Sequence, residues 1–179
     1  VCSSDLVTLK DTANYEWAQE FNGKVAWTIN KATHNMSDIK FENVTVVYNG
    51  TEYVIEITGT LPEGVTVSYT TNKGTNAGTY NATAKFTYDT ANYNTIADMN
   101  AVLTINKATY DMSGITFDDV TVVYDGSEHK VLITGTLPTG VTVSYEDNVG
   151  TNVGVYNAVA KFTGDVNYNA IPDMNAVLT

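Results

Sequence analysis

Apolar and polar residues alternate with a period of two over much of the chain. Val65, Val67 and Tyr69 alternate with Thr66, Ser68 and Thr70, and Tyr80, Ala82, Ala84 and Phe86 with Thr79, Asn81, Thr83 and Lys85. Tyr53, Ile55 and Ile57 alternate with Glu52, Val54 and Glu56. Period two is the strand signal, and it puts one residue set on a core while its neighbours face water. No segment carries a sustained i, i+3, i+4, i+7 apolar pattern. Asn49-Gly50 and Asp125-Gly126 lie between two such runs and match the positive-φ demand of a two-residue type I′ hairpin. Leu61-Pro62-Glu63-Gly64 and Asn72-Lys73-Gly74-Thr75-Asn76 mark further loops. Six or seven short strands in about 76 residues predict a small antiparallel β-sandwich. The expected core is Val46, Tyr48, Ile55, Ile57, Val67, Tyr69, Phe86, Leu103 and their counterparts further along.

Those counterparts exist because the pattern repeats. The stretch from Lys31 returns from Lys107 at a constant shift of 76 through Asp89 and Asp165, with about two-thirds of the aligned positions identical. After a one-residue deletion Tyr93 pairs with Tyr168 and Asp98 with Asp173. Asp11-Thr12-Ala13-Asn14-Tyr15 resembles Asp89-Thr90-Ala91-Asn92-Tyr93, and both lead to Thr-Ile-Asn-Lys-Ala-Thr, at 28–33 and 104–109. The expected division is therefore 1–30 as the C-terminal part of a preceding repeat, 31–106 as repeat 1, and 107–179 as repeat 2, truncated at its last strand. Val1 to Leu6 resembles the translation of a sequencing-library adapter. That resemblance implies a metagenomic fragment in which Cys2 is an artefact.

Composition narrows the function. The 179 residues carry 20 acids against 9 bases, every base a lysine, for a net charge of −11. Without arginine to fork onto phosphate, such a chain repels nucleic acid and anionic membranes, so no nucleic-acid partner and no membrane insertion are expected. One cysteine rules out an internal disulfide, and two histidines leave little for metal or His-based catalysis.

Several motifs together resemble the MBG-type bacterial immunoglobulin-like repeats of surface and adhesin proteins. They are the Thr-Ile-Asn-Lys-Ala-Thr start, Val-Val-Tyr-Asp-Gly at 122–126 and Gly-Thr-Leu-Pro-Thr-Gly-Val at 135–141. Gly154-Val155-Tyr156 and the late Asn167-Tyr168 pair complete the set. The resemblance covers 31–179 twice over and implies an all-β chain of tandem immunoglobulin-like antiparallel β-sandwiches. It implies an extracellular, surface-attached location, and it carries no catalytic residue to transfer. The sequence departs from the pattern at Gly114, His129 and Lys130.

The duplication also acts as a control, since a residue that changes between repeats serves no function common to both. His34 becomes Tyr110, and Tyr53 becomes His129. Glu146-Asp147-Asn148 replaces Thr70-Thr71-Asn72 and lacks calcium-loop spacing, so it reads as a solvated loop. Recurring acids are Glu52/Glu128, Asp89/Asp165 and Asp98/Asp173. Nothing in the spacing joins two of them in a glycosidase pair, and Asp89 and Asp98 read as turn caps. No catalytic residue, cofactor or metal is expected.

Tyr48, Tyr69 and Tyr80 fall on the apolar phase of their strands. Tyr15, Tyr93 and Tyr168, in the Asn-Tyr loops, remain as candidate glycan contacts. A Lys–Asn amide crosslink would need Lys31 or Lys107, Asn100 or Asn175, and Glu52 or Glu128 together with a neutral, buried lysine. These lysines sit in an exposed-looking junction, so no crosslink is expected.

The leading reading is a non-enzymatic spacer or stalk whose partners are neighbouring repeats of the same chain. The junction Thr104-Ile105-Asn106-Lys107-Ala108-Thr109 has no Gly, Pro or Ser-rich linker, which predicts a stiff joint. The alternative is a module that recognises host glycan or protein through end loops of the sandwich.

Overall fold

The computed structural model describes residues 28–179. Tyr15, Trp17, Trp27, Cys2 and the expected preceding repeat therefore lie outside the described residues, apart from Thr28 to Asn30. Eleven strands and no helix are found among the described residues.

In the first repeat, β1 (Val44–Val47), β6 (Met99–Asn106), β5 (Gly78–Thr87) and β3 (Thr66–Thr70) form one sheet in that order. β2 (Tyr53–Val54) and β4 (Lys73–Gly74) form a second, two-stranded layer. In the second repeat β11 (Met174–Leu178), β10 (Tyr156–Thr163) and β8 (Thr142–Glu146) form the large sheet. β7 (His129–Lys130) and β9 (Val149–Gly150) form the small one. No ladder joins strands of different repeats among the described residues, and each repeat has its own core cluster. The architecture is the expected one: tandem, all-β, immunoglobulin-like sandwiches.

Two expectations need correction. The sandwiches are not wholly antiparallel, because β1 runs parallel to β6, with Val44 opposite Leu103 and Val47 opposite Asn106. Asn49-Gly50 is also not a type I′ hairpin. β1 and β2, which it connects, pair with β6 and β4 and not with each other. Gly50 has φ +82°, but Asn49 does not share the positive φ that type I′ demands. Asn49 instead accepts the Thr51 amide on its side-chain Oδ1 at 2.9 Å, an Asx turn that carries the chain from one layer to the other. Asp125 does the same for the Ser127 amide at 2.8 Å.

The chain changes layer again between β3 and β4. Thr71 takes a left-handed φ of 55°, as does Asp147 (52°) at the same place in the second repeat. A β-branched residue there costs about 1–2 kcal/mol. The next residue offsets the cost. Asn72 exchanges two hydrogen bonds with Ile55, accepting its amide at 2.8 Å and donating Nδ2 to its carbonyl at 2.9 Å. Asn148 repeats the arrangement on Val131.

The core only partly follows the expected list. Leu103, Ile105, Val131 and Leu178 are the largest fully buried side chains, while Val46, Ile57, Val67, Tyr69 and Phe86 are half-buried. The centre of each large sheet is alanine: Ala82, Ala84 and Ala101 in one, Ala158, Ala160 and Ala176 in the other. Such small residues let the second layer approach the sheet closely. Tyr124, counterpart of the expected core residue Tyr48, is 62% exposed. In the second repeat the chain at 120–122 still runs alongside β11, but opposite only Val177 to Thr179.

Candidate functional site: the joint between the repeats

β6 of the first repeat ends at Asn106, and two residues later Ala108 already bonds into the second. Its amide donates to the Asn167 carbonyl at 3.0 Å, and its carbonyl accepts the Asn169 amide at 2.8 Å. The incoming strand is therefore clamped to the Asn-Tyr loop at once, with no slack between.

That loop is built by Asp165, whose Oδ1 accepts the Asn167 amide at 2.8 Å. The Tyr110 hydroxyl holds the loop from below by accepting the Asp165 amide at 2.9 Å. The Tyr168 ring stacks on Tyr110 at 3.9 Å between centroids and 12° between planes.

From this platform two side chains reach the first repeat. Asn167 is the only polar residue buried among those described, at 6% exposure. Its Oδ1 accepts the Ala77 amide at 2.7 Å, and its Nδ2 donates to Asn76 Oδ1 at 3.3 Å. Beside it, the rings of Tyr168 and Tyr48 meet in a T-shaped contact at 5.6 Å and 77°. Hydrogen bonds of this kind contribute about 0.5–1.5 kcal/mol each, and an aromatic pair a similar amount. The two hydrogen bonds and the aromatic pair together are thus worth about 1.5–4.5 kcal/mol.

The first repeat carries the same platform around its own Asn-Tyr loop, where Ala32 bridges Tyr93. Asp89 caps its loop by accepting the Ala91 and Asn92 amides and the Asn92 Nδ2. These bonds, the side-chain one first, hold the Asp89 carboxyl below its ordinary value. Lys31 Nζ donates to the Thr90 carbonyl at 2.7 Å. Tyr93 stacks on His34 at 3.8 Å and 10°, so the His34/Tyr110 exchange preserves a stacking partner for the loop tyrosine. The candidate glycan tyrosines Tyr93 and Tyr168 therefore each have one ring face against a neighbouring ring.

Other candidate chemistry is dispersed. Glu146 pairs with Lys161 at 2.6 Å and raises the lysine's affinity for its proton. Asp125 lies 3.0 Å from His129 Nε2. Its carboxyl is held below the ordinary range by the Ser127 amide first and by His129 second. Glu52 pairs with Lys73, Glu128 with Lys130, and Asn100 accepts the Thr83 hydroxyl. The six candidates for a Lys–Asn crosslink are thus all exposed, and Lys31, Glu52, Glu128 and Asn100 are engaged with other partners. Among the described residues no group of three or more His, Cys, Asp and Glu side chains is placed to hold a metal.

No family model matches the chain, and no curated protein matches it. Among solved structures it is similar to the I67–I69 fragment of the titin I-band, at 12% identity and a TM-score of 0.27 over 79% of this chain. That alignment spans 63% of the titin fragment, less than two-thirds of it. A second likeness is to fibronectin(III)-like modules of Clostridium thermocellum CbhA, at 13% identity and a TM-score of 0.24. It covers 78% of this chain and 92% of that one.

Proposed function

We propose that the chain is a stretch of non-enzymatic spacer: tandem repeats of the MBG type that hold a distal binding domain away from a bacterial cell surface. The observation that carries this reading is the joint. Asn167 is buried between repeats and bonded to both, and only Lys107 separates the end of β6 from the Ala108 bridge into the second repeat. A chain evolved only to display a binding loop gains nothing from locking one domain to the next, whereas a spacer transmits reach only when its joints are stiff. The acidic excess keeps neighbouring stalks apart and supports an extracellular setting.

Residual dipolar couplings test the stiffness. The two repeats should fit a single alignment tensor, with equal magnitude and axes. Independent tensors would mean a flexible string and would sink the spacer reading. The second reading, recognition of host glycan or protein, rests on Tyr93, which keeps one face of its ring off His34 at a loop tip. Glycan-array binding lost on Tyr93→Ala would favour it.

A further inference from the structure

The sequence holds two Asn-Gly pairs, at 22–23 and 49–50, and the second lies among the described residues. In such a pair the backbone nitrogen reaches the preceding side-chain amide with least hindrance, because glycine brings no Cβ to the approach. Gly50 is open in this sense, since a Cβ built on it would meet no atom within 4 Å. Asn49, Gly50 and Thr51 are all exposed, so water and base reach the turn. What sets Asn49 apart is the surroundings of its Oδ1. Thr51 donates to this one oxygen twice, from its amide at 2.9 Å and from its hydroxyl at 2.6 Å. The flanks of the turn are tied as well. The Tyr48 amide donates to the Asn106 carbonyl at 2.8 Å, and the Tyr53 hydroxyl to the Val47 carbonyl at 2.9 Å. Two donors are thus in place at the atom on which negative charge develops when a nucleophile adds to Cγ.

We propose that Asn49-Gly50 is a self-modification site, at which the turn converts its own asparagine into aspartate and isoaspartate through a succinimide. The Gly50 nitrogen gives its proton to solvent base and bonds to Asn49 Cγ. The electron pair moved onto Oδ1 is held by the two Thr51 donors, whose hydrogen bonds strengthen as the charge appears. The pair then returns, the Cγ–Nδ2 bond breaks, and Nδ2 leaves as ammonia with a proton from water. A second water opens the ring. Addition at Cγ gives aspartate. Addition at the Asn49 backbone carbonyl gives isoaspartate, which places one extra methylene in the main chain. In balance one water enters and one ammonia leaves, with no oxidant and no cofactor.

The second repeat shows what the aspartate product does to the turn. Asp125-Gly126 stands at the same place, and its carboxylate still accepts the Ser127 amide at 2.8 Å, so aspartate keeps the turn. Isoaspartate lengthens the connection between β1 and β2 instead. The Ser127 amide, with His129 behind it, holds the Asp125 carboxyl below its ordinary range and so keeps it ionised. An ionised carboxylate is a poor electrophile and has no ammonia to lose. Of the two described repeats only the first therefore carries the site. The proposal is independent of the spacer reading.

The test incubates the full chain in mildly alkaline buffer and follows Asn49 by peptide mapping with tandem mass spectrometry. Chromatography separates the aspartyl and isoaspartyl peptides. The native chain should lose the Asn49 amide faster than the chain unfolded in guanidinium chloride, where the Thr51 donors are released. Thr51→Val removes the hydroxyl and keeps the branched shape. It should slow the native reaction roughly two- to tenfold and leave the unfolded rate unchanged. A native rate at or below the unfolded one overturns the proposal, as does a native rate that Thr51→Val leaves unchanged or raises. Should Thr51→Val shift the melting temperature of the first repeat, the native-against-unfolded comparison on the unaltered chain decides alone.

Discussion

Leu103→Ala probes whether the repeats are separate folding units. Leu103 is 0% exposed, on β6 opposite Tyr80, and belongs to the cluster of Ile55, Ala82, Ala101 and Ile105. Truncating a buried leucine costs about 2–5 kcal/mol, with the high end reached where the surroundings cannot collapse into the hole. Here Ala82 and Ala101, two of the cluster's members, are too short to swing inwards, so the expected loss is about 3–5 kcal/mol. A unit of this length holds roughly 4–11 kcal/mol, so the first repeat loses a large part of its stability. Its melting temperature should fall by at least about 12 °C. The second repeat should feel only the share passed through the joint, about 4.5 kcal/mol at most. Urea titration followed by NMR at the Ala84 and Ala160 amides separates the two transitions. Equal midpoint shifts at both amides would show one cooperative unit, and a loss below about 1 kcal/mol would show that the alanine-lined core relaxes.

Asn167→Ala should leave the Ala77 amide without its partner, cost about 1–3 kcal/mol, and split the single alignment tensor in two. Dipolar couplings that still fit one tensor would show that the Tyr48–Tyr168 contact suffices. Gly59→Ala should cost well over 2 kcal/mol, because φ is +98° and an added Cβ runs into the Asp38 carbonyl oxygen. Gly50→Ala, at φ +82° with open space around it, should cost only the backbone strain of about 1–2 kcal/mol; equal midpoints for these two variants would refute the distinction. Acid should weaken the fold through Asp89, Asp111 and Asp125, whose carboxyls all lie below their ordinary value of 3.8 in the folded state. Lowered folded values mean that this stabilisation is complete above about pH 5 and is lost as the pH falls through 3.8 and below. A urea midpoint unchanged between pH 5 and pH 3 would contradict it.

The strands were legible because a two-residue period survives whatever the strand pairs with. Val67 and Tyr69 face the core side of β3 as their phase requires. What the period does not carry is partnership. Asn49-Gly50 has hairpin chemistry, yet Thr45 and Val46 bond to residues some sixty positions later, a choice made by the closed sandwich and not by the turn. The alanine centre was hidden for a different reason: alanine is small enough to be neutral in any local pattern, and only the close approach of two layers makes it a core residue. Asp89 as a turn cap was legible, since an acid two or three residues ahead of free amides has little else to do. Asn167 was seen only as half of a repeated Asn-Tyr pair. Its burial depends on Ala77, ninety positions away, and the repeat comparison points to it only once the two ends of a sandwich are known to meet.

The parallel pairing of β1 with β6 decides how a repeat carries a pull. A chain under tension drags β1 toward its own N-terminus and β6 toward its C-terminus. Because the two strands point the same way, these forces act in opposite directions along one ladder. The whole register from Val44–Leu103 to Val47–Asn106 is then loaded together, and it cannot peel open one bond at a time as an antiparallel hairpin pulled from its open end would. Rupture requires the four paired positions to slip at once. The clamp of Ala108 onto the Asn-Tyr loop, itself formed with a parallel bridge to Tyr168, passes the load into the next repeat in the same geometry. Strand direction thus gives the repeat a resistance to force that requires no covalent link between its strands.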